Sequence, residues 1–325
     1  MKKRIMAAML TVMLTGMMAG CSMESGIEDS AENNGSEDTK QSGGDNLTIG
    51  FSNWSRSFEF YVDLEEGMQE KADELGVELV IQDADGDLTE QTSQLENFVS
   101  RDMDGIIICP IDSEASGSEV EMVNAEDIPL ATVDIECTGG GEVVTHVASD
   151  NYLGGQLAAE YVGEALGGEG KIAVISNPTI TTIIEREKGF TETIEKEYPG
   201  IEIVANQSGE STREKGMEVA ENILEKNPDL DAVFGTNDMM ALGAVQAIQA
   251  KNLDTIVVGF DATEEACNGM KEGSPMKASV AQQPQLLGAT VLESLVNYIN
   301  GEDVEPEIKV EVKLVTEENA DDYLK

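Results

Sequence analysis

Basic residues are scarce. Lysine and arginine number 20 against 64 aspartates and glutamates, a formal net charge of −44. Phosphate neutralisation needs basic patches, so this balance excludes a nucleic-acid partner. It excludes direct electrostatic adhesion to anionic lipid for the same reason. The acids are spread along the chain, and their plain role is solubility. Histidine is almost missing. The one histidine, His146, sits in the strand-like run THVAS without a partner in the sequence, so a hydrolytic triad through it lacks support. Beyond Cys21 there are only Cys109, Cys137 and Cys267, whose spacing fits neither a metal knuckle nor a disulfide framework. Cys109 ends an apolar run and is expected to be buried. Gly139-Gly140-Gly141 lacks the lysine of a phosphate-cradling loop. Asp83-Ala84-Asp85-Gly86-Asp87 looks like half a calcium loop, but Leu88 and Gln94 stand where an EF-hand needs Gly and Glu. It reads as an acidic β-to-α turn. No cofactor or metal is expected.

Long apolar runs are also lacking, apart from Ile5 to Met18, which is too short for a comfortable membrane span. The basic Lys2-Lys3-Arg4 precedes it and Ala19-Gly20-Cys21 follows. That order reads as a signal segment over residues 1–20. The small pair before cysteine resembles the bacterial lipobox, which implies lipidation of Cys21 and anchoring to the membrane. Residues 21–46 are rich in Ser, Gly, Asn and acids and hold one large aliphatic residue, Ile27. They cannot bury a core and are expected to form a disordered acidic tether.

From Leu47 onward the pattern is regular, and 325 residues suffice for two domains. Apolar runs such as Leu47–Phe51, Val77–Ile81, Gly105–Cys109 and Leu130–Val133 predict strands. Glu142–Val147 and Ile308–Val315 are also expected to be extended. Helical spacing predicts helices over Phe60–Leu75, Leu88–Val99, Tyr152–Leu166, Ile183–Tyr198 and Leu286–Ile299, among others. Alternating β and α predicts a doubly wound α/β fold with parallel sheets. The stretches beginning at Gly76 and Gly200 repeat one pattern: Gly, aliphatic, Glu, two aliphatics, polar loop, amphipathic helix, buried strand, polar stop. The repeat predicts two similar Rossmann-like lobes.

Asp231 to Thr263 reads strand, helix, strand. Its polar strand ends put Asn237, Asp238, Phe260 and Asp261 where open α/β sheets bind ligands. Asn237 and Asp261 could equally cap the helices that follow them.

Three stretches, Gly141–Gly155 (GEVVTHVASDNYLGG), Ala232–Ala244 (AVFGTNDMMALGA) and Val257–Thr263 (VVGFDAT), resemble the type 1 periplasmic binding proteins near the ribose-binding branch. The resemblance covers Leu47 to about Val315. It implies a three-crossing hinge between an N-terminal lobe of 47–149 plus 283–310 and a C-terminal lobe of 150–282 plus 311–325. It implies a monomer that captures a monosaccharide or polyol between the lobes and delivers it to an ABC permease, outside the cytoplasm and without catalysis. By position it places the ligand contacts on Phe60, Tyr61, Asp134, Arg186, Asn237, Phe260, Asp261 and Gln282. Carboxylates, amides and an arginine fork suit a fan of hydroxyls, and rings suit the C–H faces of a sugar.

The chain departs from the ribose-binding pattern at Ile135, where a second arginine is expected. It departs again at Ser211, in place of a stacking ring, and at Phe58, in place of an asparagine. Losing a planar donor is not conservative, so ribose itself is put in question and Trp54, Phe58, Ile135 and Ser211 become specificity positions. A sugar sensor serving a membrane kinase or chemoreceptor would have the same cleft. A repressor of this fold should begin with a helix-turn-helix, which the N-terminus does not offer. An acid/base pair of Asp134 and Asp261 in a secreted enzyme is a further reading.

Overall fold

The computed structural model describes residues 47–324. The expected signal segment, Cys21 and the tether lie outside the described residues. The chain begins β1 (Thr48–Asn53), α1 (Glu59–Leu75), β2 (Glu78–Asp83), α2 (Leu88–Ser100), β3 (Gly105–Ile108), α3 (Gly117–Asn124), β4 (Leu130–Val133), β5 (His146–Ser149). It continues α4 (Asn151–Ala165), β6 (Glu169–Ser176), α5 (Thr181–Glu197), β7 (Gly200–Ser208), α6 (Arg213–Lys226), β8 (Ala232–Gly235) and α7 (Asp238–Lys251). Then come β9 (Ile256–Asp261), α8 (Glu264–Lys271), β10 (Met276–Ala281), α9 (Pro284–Ile299), β11 (Glu307–Val310) and β12 (Lys313–Thr316), with a 3₁₀ turn at Ala320–Tyr323.

Two six-stranded sheets result, ordered β11-β5-β4-β3-β1-β2 and β12-β10-β9-β8-β6-β7. All pairings are parallel except β10 with β12. Inner strands such as GIII of β3 and AVFG of β8 are buried at every residue. Continuous apolar runs are what a sheet covered on both faces requires. Local signals set the helix ends. Asp87 accepts from Thr89 N and Glu90 N to open α2, so the acidic turn is a cap. Gly76, at φ +71°, closes α1.

The chain passes between sheets three times. It leaves β5 for α4, which packs on α5 and β10. It leaves β10 for α9, which packs on α1. Finally, Glu311 and Val312 connect β11 in one sheet to β12 in the other. The last passage corrects the expectation of a single strand over Ile308–Val315. Val310 and Val312 are both buried, in different apolar clusters. The alternation therefore runs unbroken through a crossing that no Gly or Pro marks. The extended stretch expected over Glu142–Val147 becomes a strand only at His146. The short helix α8 is the helix allowed for after the strand end at Asp261, although the sequence marks no residue range for it.

In each sheet the order reverses beside the first strand of its lobe, between β1 and β3 and between β6 and β8. Carboxyl ends of strands at such switch points are where open α/β sheets hold ligands.

Candidate ligand-binding cleft

One cleft, lined from both sheets, lies between the facing strand ends. Phe60, Tyr61, Asp134, Arg186, Asn237, Asp261 and Gln282 all line it, as do the four specificity positions Trp54, Phe58, Ile135 and Ser211. Phe260 does not. It and Asp261 are successive strand residues and so point to opposite faces. The Phe260 ring lies beneath Arg186, 3.8 Å from the guanidinium carbon.

Arg186 is 4% exposed, so it is not a surface ion-pair partner. Its Nε donates to Asn151 Oδ1 at 2.8 Å and its Nη1 to the Thr236 carbonyl at 3.0 Å. Asp261 Oδ1 stands 3.8 Å from Nη1. Asn151 opens α4 and Arg186 rides α5. Gly155 and Gly189 let those helices touch: a Cβ at either would fall 2.1 Å from a carbonyl oxygen, of Arg186 and Tyr152 respectively.

The choice between cap and ligand group resolves differently for the two strand-end residues. Asn237 is the cap of α7, accepting from Met240 N at 2.9 Å, while it also lines the cleft. Asp261 does not cap the helix that follows it, since Thr263 caps α8, but its Oδ2 accepts from Asp238 N at 3.5 Å in the first turn of α7. Asp261 Oδ1 instead accepts from Gln282 Nε2 at 2.7 Å, and Gln282 Oε1 accepts from Ser149 Oγ at 2.7 Å. Gln282 thus joins the carboxyl end of β5 to that of β9. Asp238 stands behind the cleft, fully buried, accepting from Ser279 Oγ, Thr263 N and Thr263 Oγ1. Its pKa is pushed up to about 7 by burial, with the Asp261 charge adding to it. Burial also raises Asp261, against the pull of Arg186.

On the opposite wall Asp134 is 4% exposed. Its Oδ2 accepts from Tyr61 Oη at 3.0 Å, with the Cys109 thiol 3.9 Å away. Burial raises its pKa to about 6, while Arg186 and the Tyr61 hydrogen bond pull the other way. Two polar atoms on this wall are buried without a partner among the described residues: Asp134 Oδ1, an acceptor, and Trp54 Nε1, a donor. Around them Trp54 stacks on Tyr61 at 5.9 Å, and Phe58 and Phe60 meet Tyr61 edge-on. Asp134, Ser211 and Asp261 hold positive φ of 62°, 57° and 120°. Such strained non-glycine backbone clusters at ligand sites.

Ile180, Thr182 and Ile183 also line the cleft and were not anticipated. Thr182 and Ile183 precede Arg186 by four and three residues, so helical spacing alone would have put them on its face. Across the cleft mouth, Thr181 Oγ1 accepts from Ser113 Oγ at 3.2 Å and from Glu136 N at 3.1 Å. Thr181 N donates to Ser113 Oγ, and Glu264 N to Glu59 Oε2 at 3.4 Å. His146 lies apart from this chemistry, its Nδ1 2.9 Å from Thr132 Oγ1.

The family model described as periplasmic binding protein domain matches residues 49–303. The chain is 34% identical to the ribose import binding protein RbsB of Bacillus subtilis (strain 168), over 97% of this chain and 99% of that one. An ABC transporter solute-binding protein of Bacillus halodurans C-125, solved with bound myo-inositol, superposes with a TM-score of 0.78. It is 36% identical, over 85% of this chain and 96% of its own. A periplasmic solute-binding protein of Actinobacillus succinogenes 130z, solved with D-allose, gives 0.79 at 28% identity, over 85% and 100%.

Proposed function

Because the chain belongs to the periplasmic binding protein domain family, whose members bind substrates rather than transform them, we propose that it is the solute-binding subunit of an ABC importer. It captures a monosaccharide or polyol between its lobes and hands it to the permease. The observation that carries this is the cleft itself. Asp134 and four rings face Arg186, Asn237, Asp261 and Gln282 across it. Each hydroxyl of a polyol both donates and accepts, and this set offers both roles.

The ligand contacts are Phe60, Tyr61, Asp134, Arg186, Asn237, Asp261 and Gln282, with Phe260 supporting Arg186 from below. The lobes run 47–149 plus 283–310 and 150–282 plus 311–325. The protein acts as a monomer, lipidated at Cys21 and held at the outer face of the membrane.

A thermal-shift panel of monosaccharides and polyols tests the reading. At ligand about a hundredfold above Kd the gain is roughly 2.7 kcal/mol, or several degrees in Tm. A broad panel that shifts nothing rejects the sugar assignment. Cys21→Ser should release the protein from membranes, and retention of that variant would reject the anchor.

A further inference from the structure

We propose that the ligand is an amino sugar or aminocyclitol whose ammonium group is received by Asp134. This narrows the polyol reading above and rests on it. Asp134 is 4% exposed, and its Oδ2 already accepts from Tyr61, yet Oδ1 has no partner among the described residues. A carboxylate oxygen buried without a donor costs free energy that a ligand donor recovers. A hydroxyl would supply one neutral hydrogen bond. An ammonium supplies three donors and the opposing charge.

The charge around the cleft points the same way. Among the described residues, Asp134 and Asp261 are lined up against one cation, Arg186. That cation belongs to the other wall. Its Nε and Nη1 are engaged by Asn151 and Thr236, and Asp261 is its nearest acid. The residue after Asp134 is the apolar Ile135, which lines the same cleft. No fixed positive charge on the first wall competes for Oδ1 among the described residues.

The rings supply a third, independent argument. Trp54, Phe58 and Tyr61 form an edge-and-face cluster on the Asp134 wall. Aromatic faces attract cations, most strongly where water is excluded. An acid set among rings on one wall, opposite hydroxyl-binding amides on the other, suits a polyol carrying an amine at one edge.

The test is isothermal titration of the full-length protein at pH 7.0 with matched triplets. Each triplet holds the amine, its hydroxyl parent and the N-acetyl derivative: glucosamine, galactosamine and an inosamine, with their counterparts. In at least one triplet the amine should bind about tenfold or more tighter than both neutral members, a difference of about 1.4 kcal/mol. In Asp134→Asn that advantage should collapse, the amine losing at least tenfold more affinity than its hydroxyl parent. Neutral sugars or polyols binding while amines bind no better would overturn the amine assignment and leave the polyol reading intact. If neither the triplets nor a broad neutral panel binds, both readings fall. Persistence of the amine preference in Asp134→Asn would overturn Asp134 as its receiver. The triplet comparison on the unaltered protein decides the matter even if the variant does not fold.

Discussion

Arg186 carries its guanidinium carbon 3.8 Å above the centre of the Phe260 ring. Two hydrogen bonds fix it there from the sides, to Asn151 and to the Thr236 carbonyl. One ring and two acceptors from three separate parts of the chain therefore set the direction of a single fork before any ligand arrives. Preorganisation of this kind lowers the ordering cost of binding.

Arg186→Lys should separate charge from geometry. Lysine keeps the positive charge beside Asp261 but cannot reach Asn151 and Thr236 together or lie flat on Phe260. Ligand affinity should fall about tenfold or more, and apo stability by about 1–3 kcal/mol, because buried acceptors are left unpaired. Titration calorimetry and apo melting read the two effects. A variant with the original Kd would mean that Arg186 only holds the lobe together.

Thr181 ties the lobes across the cleft mouth through Ser113 and Glu136. Thr181→Val keeps the shape and removes the hydroxyl. At about 0.5–1.5 kcal/mol for each of the two hydrogen bonds lost, the closed form should weaken by roughly five- to 150-fold. The ligand off-rate in stopped flow should rise by that factor while the apo Tm stays near its original value. An unchanged off-rate with a lowered apo Tm would make the contact structural only.

Much of the architecture was open to reading because its signals are local. Apolar runs stopped by Asn237 or Asp261 mark strand ends, Gly76 marks a helix end, and the repeat from Gly76 and Gly200 marks two lobes. Other features depend on tertiary context. The sheet change at Glu311 hides inside an alternating pattern that suits either lobe. The helix Glu264–Lys271 buries only Ala266, Cys267 and Met270, too short a stripe to stand out. Ser113 and Thr181 lie in loop and helix-start positions where such residues are commonplace, so their pairing appears only when the lobes are placed face to face. Asn237 shows why cap and ligand group could not be told apart: its side-chain Oδ1 caps α7 while the same side chain lines the cleft.

The buried acids give apo stability a defined pH profile. Asp134 and Asp238 are pushed up to about 6 and about 7 by burial, against about 3.9 in an unfolded chain. Between those values the folded protein keeps protons that the unfolded chain has released. Stability therefore falls as pH rises from about 4 to 7 and is flat above that. His146 works oppositely. Burial lowers it to about 4 against about 6.5 unfolded, so stability is lost as pH falls through that window. Glu307 and Lys309, which face it with Thr132, leave burial dominant. The two acids outweigh the one histidine, so the apo Tm should fall as pH rises from about 4.5 to 7 and level off above that in calorimetry to about pH 8.5. His146→Gln should steepen that fall by removing an opposing contribution on the order of 3 kcal/mol. A Tm that climbs steadily to pH 8.5 contradicts the burial of these acids.

The contact of α4 with α5 decides whether Arg186 meets Asn151 at all. At Gly155 an added Cβ would fall 2.1 Å from the Arg186 carbonyl and 2.8 Å from Phe190 N, both backbone atoms that cannot turn aside. Gly155→Ala must therefore push α5 away from α4 and draw the guanidinium off Asn151 and Phe260. The expected cost in apo stability is about 1–3 kcal/mol, typical of overpacking, with ligand affinity lowered at least tenfold even where the variant is fully folded. Gly76→Ala is the control. It sits at φ +71° with no atom within 4 Å of the new Cβ, so it should cost stability through backbone strain alone and leave Kd unchanged. Equal Kd values for the original protein and Gly155→Ala, measured well below both melting points, would show that Arg186 does not depend on this helix crossing.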